Sequence, residues 1–342
     1  MTEKCTPVLD PSVMADMADL RYVSDEEPGI NRQRKGRGFS YVRHDGSVVP
    51  PKVGARIKSL AVPPAWEQVW ICTDPQGHIQ ATGRDEAGRK QYRYHPEWER
   101  VRDEVKFDRM VLFGRRLPHL RKHVETDLNQ RGLPPSRVLA LGVAVLDQTL
   151  IRVGNDRYTR DNGSFGLTTI TNAHADVTGH EVQFSFIAKG GAPSEVALSD
   201  KRLANLIAQC QELGGQSLFT YSDSEGEVGS VRSEHLNSYL RTATGLEVSA
   251  KDFRTWGASA LLTDRLGHIG VVEQPESELL GAIDQVAEVL GNTRAVAKSS
   301  YVHPAVSEAF TSGSLDQIWH GSRAGRWLSR GESTLLKLLE QN

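Results

Sequence analysis

The sequence predicts an α+β protein of two domains: a small β-rich N-terminal domain over residues 1–95 and a larger, mostly α-helical domain with one small β-sheet over residues 96–342. Three observations lead there. The chain has 342 residues, and at about 100–200 residues per domain that length makes two. Short alternating runs separated by turn signals fill residues 39–94. From Pro96 onward the apolar spacing lengthens to that of a helix.

The N-terminal strands are expected at Phe39–Val42, Val69–Cys72, His78–Thr82 and Gln91–Tyr94, punctuated by Asp45-Gly46, by Asp74-Pro75-Gln76-Gly77 and by the segment from Gly83 to Gly88. Pro134-Pro135-Ser136 then opens a helix. Val138, Leu141, Val145 and Thr149 recur along one face, and apolar residues on the other faces predict burial nearly all round. Leu167–Ile170 and Val182–Ile187 read as hairpin strands, with Gly190-Gly191 turning the chain toward Val196–Leu198. Ser199-Asp200 caps a helix whose stripe is Leu203, Leu206, Ile207, Cys210 and Leu213, and Gly214-Gly215 ends it. After the break at Gly245, one helix begins at Lys251 and another runs from Glu276 to Leu290.

Composition narrows the function. With 38% hydrophobic and 25% charged residues, and 41 Lys+Arg against 43 Asp+Glu, the chain is neither disordered nor supercharged. Its longest apolar runs, such as Val143–Leu146, fall far short of the roughly 18 residues of a membrane span. Glu3, Asp10, Asp16 and Asp19 leave no secretory pattern at the start, so a cytoplasmic protein is expected. Three scattered cysteines, Cys5, Cys72 and Cys210, supply neither a disulfide framework nor a zinc knuckle. Charge is nevertheless segregated. Residues 1–30 are acidic, whereas Arg32, Arg34, Lys35, Arg37, Arg43, Lys52, Arg56 and Lys58 form a basic strip against Asp45. A second basic stretch, Arg84, Arg89, Lys90 and Arg93, is interleaved with Gln91, Tyr92 and Tyr94, a mixture suited to phosphates and bases.

Four segments of the second domain carry polar residues in unexpected places. Arg152 follows a buried helix, Lys189 sits at a hairpin tip, Arg254 lies near a helix start, and Asn292 follows Gly291, nine residues before Tyr301. An arginine fork can hold the non-bridging oxygens of a phosphodiester and stabilise the added charge of a pentacoordinate transition state. A lysine can protonate a leaving alkoxide and a tyrosine can form a covalent phosphoester. Each residue also has a structural reading. Arg152 could pair with Asp147 or Asp156, Arg254 with Asp252, Lys189 could be solvated, Asn292 could end a helix and Tyr301 could be core.

Joint occurrence favours chemistry. Ile151-Arg152-Val153-Gly154, Phe186-Ile187-Ala188-Lys189, Lys251-Asp252-Phe253-Arg254-Thr255-Trp256-Gly257, Gly291-Asn292-Thr293 and Ser300-Tyr301 stand in one order. With Gly88-Arg89-Lys90-Gln91-Tyr92-Arg93-Tyr94, they resemble the type IB DNA topoisomerases, in particular the short bacterial and poxvirus-type enzymes, from about Gly38 to Pro304. The resemblance implies the catalytic fold shared with tyrosine recombinases. It implies an isomerase that relaxes supercoiled duplex DNA by single-strand cleavage through a 3'-phosphotyrosyl link, strand rotation and religation, with no metal, ATP or other cofactor. On that basis Tyr301 is the nucleophile, Arg152, Arg254 and Asn292 stabilise the transition state, and Lys189 is the general acid. Arg89, Lys90, Gln91, Tyr92 and Tyr158 are the implied DNA contacts, residues 1–95 a DNA-clamp domain, and the protein a nucleoid-associated monomer with no membrane partner. Many members carry histidine where this chain has Asn292, and an asparagine can donate a hydrogen bond but cannot move a proton. Two other readings stand beside it. A tyrosine recombinase usually has His-x-x-Arg where this chain has Lys251-x-x-Arg254, and a non-catalytic DNA-binding protein could keep the same fold.

Overall fold

In the computed structural model, which describes residues 10–341 apart from the side chains of Arg157 and Tyr158, the chain divides between Asp108 and Arg109 into two units. The N-terminal unit begins with helix α1 (Pro11–Met17), capped by the Asp10 carboxylate, which accepts the Ser12 N–H at 2.8 Å. Five antiparallel strands follow: β1 (Ile30–Lys35), β2 (Gly38–Arg43), β3 (Glu67–Ile71), β4 (Ile79–Arg84) and β5 (Lys90–Tyr94). Their order in the sheet is β2-β1-β3-β4-β5. Helix α2 (Pro51–Ser59) joins β2 to β3 and sends Ile57 into a core with Ile30, Val69, Ile71 and Ala81.

Two features of this unit differ from expectation. The strip of cations contains a strand, β1, and part of it faces inward. The Arg32 guanidinium donates to the Pro63 carbonyl at 3.0 Å and lies 4.2 Å from the Phe39 ring centre, while Arg56 donates to Gln80 Oε1 at 2.7 Å. These two arginines satisfy carbonyls and an amide of their own unit. Gly83 lies within β4, opposite Gln91, so the turn is confined to Asp85–Gly88, where Gly88 adopts φ +72° and donates to the Asp85 carbonyl at 2.8 Å.

The division falls within the long helix α3 (Pro96–Leu128), and the C-terminal unit continues with α4 (Pro135–Thr149) and α5 (Asp156–Asn162). As its apolar pattern predicts, α4 is buried nearly all round, through Val138, Leu141, Val143, Val145 and Leu146 among others, with Gln148 exposed. A three-stranded sheet comes next, with β6 (Ala175–Thr178), β7 (Glu181–Ile187) and β8 (Pro193–Ser199) in that order. Val182, Phe184 and Phe186 of β7 alternate inward. Leu167–Ile170 is a turn, not a hairpin strand. All four residues are buried, so alternation is absent, and their backbone serves the segment after α4: Leu167 N–H donates to the Arg152 carbonyl and Thr168 N–H to that of Val153, each at 2.8 Å.

Helix α6 (Lys201–Leu213) is capped by Asp200, which accepts the Arg202 and Leu203 N–H groups at 2.9 Å. The two-stranded ribbon β9 (Thr220–Ser222) and β10 (Val228–Ser230) precedes α7 (Ser233–Thr244), α8 (Ala250–Ile269) and α9 (Pro275–Leu290). Shorter helices α10 (Arg294–Ser300), α11 (Pro304–Thr311) and α12 (Ser314–His320) lead to α13 (Arg330–Gln341). Among the described residues no helix is long and apolar enough to cross a membrane.

Helix α8 is the centre of this packing. Its Trp256 is 1% exposed, lies edge-on to Phe113 of α3 and covers Gly114, where a Cβ would overlap the indole ring. Replacing Gly114 with alanine must therefore displace a buried ring with little room to move. Gly114→Ala should destabilise the protein by about 1–3 kcal/mol and lower its melting temperature by about 2–4 °C per kcal/mol in a unit of this size. Thermal unfolding followed by circular dichroism reads it; an unchanged melting temperature would show that α3 and α8 separate freely.

Candidate active site

The site begins with the two ends of α4 and α9. The last turn of a helix leaves carbonyls without intrahelical partners, and the helix dipole makes that end negative. At α4 the C-cap is Leu150, forced to φ +54°, and at α9 it is Gly291 at φ +59°. Arg254, 4% exposed near the start of α8, fills the space between them. Its Nη2 donates to the Leu290 carbonyl at 2.8 Å and its Nη1 donates to the carbonyl of Leu150. Gly257, one turn further along α8, accommodates the Leu150 side chain, which leaves 2.5 Å to a would-be Cβ. The Arg254 Nε is buried and has no hydrogen-bond partner. A buried donor left unpaired costs about 1–3 kcal/mol, so it marks a place where an acceptor is due.

Arg152 is held differently. The turn at 166–169 fixes its backbone, and Gly154 at φ +86° lets Gly166 approach so closely that a Cβ on Gly166 would stand 2.5 Å from the Gly154 nitrogen. The guanidinium Nη2 donates to Asn292 Oδ1 at 2.5 Å. That bond fixes the amide orientation, and Asn292 Nδ2 is left buried and unpartnered, a second donor awaiting an acceptor. Asn292 also completes the end of α9, its N–H donating to the Ala287 carbonyl at 2.9 Å. The carboxylates weighed as structural partners lie elsewhere: Asp147 is bound to Arg121, and Asp252 accepts the Ser249 N–H at 2.8 Å.

Neither arginine is thus matched to a carboxylate in these bonds. Burial lowers the Arg254 pKa, and the neighbouring Arg152 cation pushes in the same direction. A phosphate anion would relieve both. Arg152 and Arg254 line one cavity of about 240 Å³, and Lys189 lines it too. Lys189 is exposed at the tip between β7 and β8, where the Ala188 N–H donates to Ala192 at 2.8 Å and Gly190 and Gly191 take φ +91° and +79°.

Tyr301 caps the C-terminus of α10, with the Arg254 guanidinium 5.1 Å from its ring centre. Burial by itself would raise the phenol pKa. The cations of Arg254, Arg152 and Lys251 outweigh it, and the phenol is held below its usual value near 10. Ser259 of α8, fully buried, pins the backbone on both sides: its Oγ donates to the Tyr301 carbonyl at 3.1 Å and accepts the His303 N–H at 2.9 Å. Lys251 and Ser259 escape a reading of the sequence as site residues. Lys251 lies three residues before Arg254, one turn along α8, so helical spacing is the signal for it; a serine amid the apolar residues of α8 is the only signal for Ser259.

Of the residues expected to contact nucleic acid, Arg89, Lys90, Gln91 and Tyr92 occupy the N-terminal unit, and the first three have polar partners. Arg89 Nη2 lies 2.8 Å from Asp85, Lys90 Nζ lies 2.6 Å from Asp25, and Gln91 Nε2 donates to Asp85 at 2.9 Å. Tyr92 is exposed and stacks on Tyr94 with ring centres 5.7 Å apart. Tyr158 belongs to α5, and its side chain lies outside the described residues.

Over residues 95–317 the chain matches the family described as eukaryotic DNA topoisomerase I, catalytic core, and over residues 38–85 that described as bacterial DNA topoisomerase IB, N-terminal domain. A protein of Acanthamoeba polyphaga mimivirus called DNA topoisomerase 1B is 31% identical over 285 residues, 80% of this chain and 85% of the relative. The DNA topoisomerase 1B of Vaccinia virus (strain Copenhagen) and the DNA topoisomerase I of Monkeypox virus are each 24% identical over 309 residues, 87% of this chain and 87% of each relative.

The electrostatics of Tyr301 can be read directly. In protein carrying 13Cζ-tyrosine, the resonance lost in Tyr301→Phe should titrate below the usual tyrosine range. Because a cation favours the phenolate, Lys251→Ala should move that titration to higher pH and Arg254→Ala should move it further. A resonance unmoved by either substitution would show that these cations do not act on the phenol.

Proposed function

The chain belongs to the type IB DNA topoisomerases, and from that membership we propose that it relaxes supercoiled duplex DNA by transesterification at Tyr301. The observation that carries the reading is the shared cavity of Arg152, Arg254 and Lys189, with Asn292 bonded to the first arginine and Tyr301 beside the second.

The steps follow from the chemistry of those groups. The Tyr301 hydroxyl oxygen attacks a backbone phosphorus as its proton passes to solvent or a neighbouring base. Its lowered pKa brings the phenolate closer to neutral pH. As the phosphorus becomes five-coordinate, charge grows on the non-bridging oxygens. Arg152, Arg254 Nε and Asn292 Nδ2, the last two buried and without partners, take it up. The bond from phosphorus to the 5'-oxygen breaks, Lys189 protonates that oxygen, and a 3'-phosphotyrosyl link remains. The cut strand rotates about its partner. The 5'-hydroxyl then attacks the phosphotyrosine, returning the electron pair to Tyr301 and a proton to Lys189. Bond energy stays in the ester throughout, so no ATP enters the cycle, and the two guanidinium groups supply the charge that a metal ion would otherwise bring. Arg89, Lys90, Gln91, Tyr92 and Tyr158 position duplex DNA mainly through phosphates, and the protein acts as a monomer in the cytoplasm at the nucleoid.

Purified protein should relax a supercoiled plasmid in EDTA without ATP, and denaturant should trap it on 3' ends. Tyr301→Phe should bind DNA and do neither. An adduct formed by that variant would remove Tyr301 as nucleophile. A wild type that binds the plasmid without relaxing it would leave a DNA-binding protein on this fold.

Lys189→Ala should slow cleavage of ordinary DNA yet recover on a bridging 5'-phosphorothiolate, whose leaving group needs no proton. Equal impairment on both substrates excludes Lys189 as the acid. Arg152→Ala should lower the single-turnover cleavage rate about 100- to 1,000-fold, as expected for loss of one transition-state donor. A change confined to DNA affinity would make Arg152 a binding residue only.

A further inference from the structure

Outside that cavity lies a half-buried ionic network. Arg121 of α3 donates from Nε and Nη2 to Asp147 of α4 at 2.7 and 2.9 Å, and from Nη1 and Nη2 to Glu332 of α13 at 2.9 and 2.8 Å. Both carboxylates are taken by one guanidinium in two-pronged fashion, the geometry that most restricts relative movement. Glu332 also accepts the indole N–H of Trp256 at 3.0 Å and the Ser329 N–H at 2.8 Å. Four elements, α3, α4, α8 and α13, thus meet at one ion cluster.

Two of these anchors are one step from the reacting groups. Asp147 lies on α4 a turn before Leu150, whose carbonyl holds Arg254, and just ahead of Arg152. Trp256 lies two residues past Arg254 on α8, about 200° around the helix from it. With its indole bound to Glu332 on one side and Arg254 bound to the Leu150 and Leu290 carbonyls on the other, α8 is pinned against rolling about its axis. The magnitude matters. At a side-chain radius of about 5–6 Å, a roll of roughly 10° moves a guanidinium by about 1 Å, and misplacement of about 1 Å can cost a reaction about 100-fold.

We infer that Arg121, Asp147 and Glu332 are positioning residues for the transesterification, setting the places of Arg152 and Arg254 through α4 and α8; the inference rests on the activity proposed above. None of the three lines the cavity shared by Arg152, Arg254 and Lys189. Its loss should therefore slow the chemical step without altering DNA affinity or the need for a general acid.

The test measures single-turnover cleavage by the full-length chain, well below each variant's melting temperature. Glu332→Ala removes the shared carboxylate, Glu332→Gln keeps its shape without the charge, and Trp256→Phe keeps a ring while deleting the indole donor. Cleavage should fall at least 10-fold in Glu332→Ala and less in Glu332→Gln, with DNA dissociation constants within about twofold of wild type. The defect should be the same on ordinary DNA and on the 5'-phosphorothiolate. Trp256→Phe, the variant that spares the ion cluster, should show a milder loss of the same kind and decides the matter if Glu332→Ala does not fold. Wild-type cleavage rates in folded variants of lowered melting temperature would make the network purely structural and overturn the inference. Rescue by the phosphorothiolate would also overturn it, by placing the defect at Lys189. Failure of the wild type to cleave, by contrast, refutes the activity itself.

Discussion

A guanidinium buried without a carboxylate is the constraint around which the C-terminal unit is organised. Moving Arg254 out of water is costly, and the usual remedy, an ion pair, would leave no charge to offer a substrate. Here the cost is offset by the negative ends of two helices, whose last carbonyls take two of its donors. The arrangement sets the rest. Helix α4 must end in a left-handed residue, Leu150, to aim its carbonyl; α8 must carry Gly257 to admit that leucine; α9 must stop at Gly291 so that Asn292 turns back to Arg152. Carbonyl dipoles hold the cation in place yet leave its full charge uncancelled. The Nε is left buried with nothing bound to it.

The sequence made much of this legible and hid the rest for physical reasons. Arg152, Lys189, Arg254, Asn292 and Tyr301 stood out because phosphoryl chemistry restricts which residue types can serve, and their flanking glycines are themselves required by turns. Helices α4, α6, α8 and α9 were readable from long apolar periods and caps. Strand β1 was not, since only Ile30 of its six residues is buried and its cations obscure any alternation. Leu167–Ile170 misled because a short, wholly buried run has no period to tell a strand from a turn. What held Arg152 was also hidden: a charged partner was expected, and the structure supplies an amide. The ion cluster of Arg121, Asp147 and Glu332 joins residues as far as 211 apart, and no local pattern reports such a pairing.

The two units handle charge in opposite ways. In the N-terminal unit Arg89 and Gln91 of the β4–β5 hairpin are matched by Asp85 and Lys90 by Asp25, and the basic strip turns Arg32 and Arg56 toward carbonyls and an amide elsewhere in the unit. In the C-terminal unit the two arginines of one small cavity, which Glu195 and Glu288 also line, bond to carbonyls and an amide and not to a carboxylate. A chain whose formal net charge is only −2 thus still gathers three cations, Arg152, Lys189 and Arg254, at one small cavity.

The amide at Asn292 bears on how the centre responds to its surroundings. A histidine in that place would gain or lose a proton near neutrality, so the electrical state of the pocket would follow every modest acidification of the cell. Asparagine has no such equilibrium, and guanidinium groups keep their proton throughout the range in which proteins stay folded. The cradle formed by Arg152, Arg254 and Asn292 therefore has no member that switches charge near neutrality, and under the proposed chemistry any dependence of turnover on hydrogen-ion concentration falls to groups outside it.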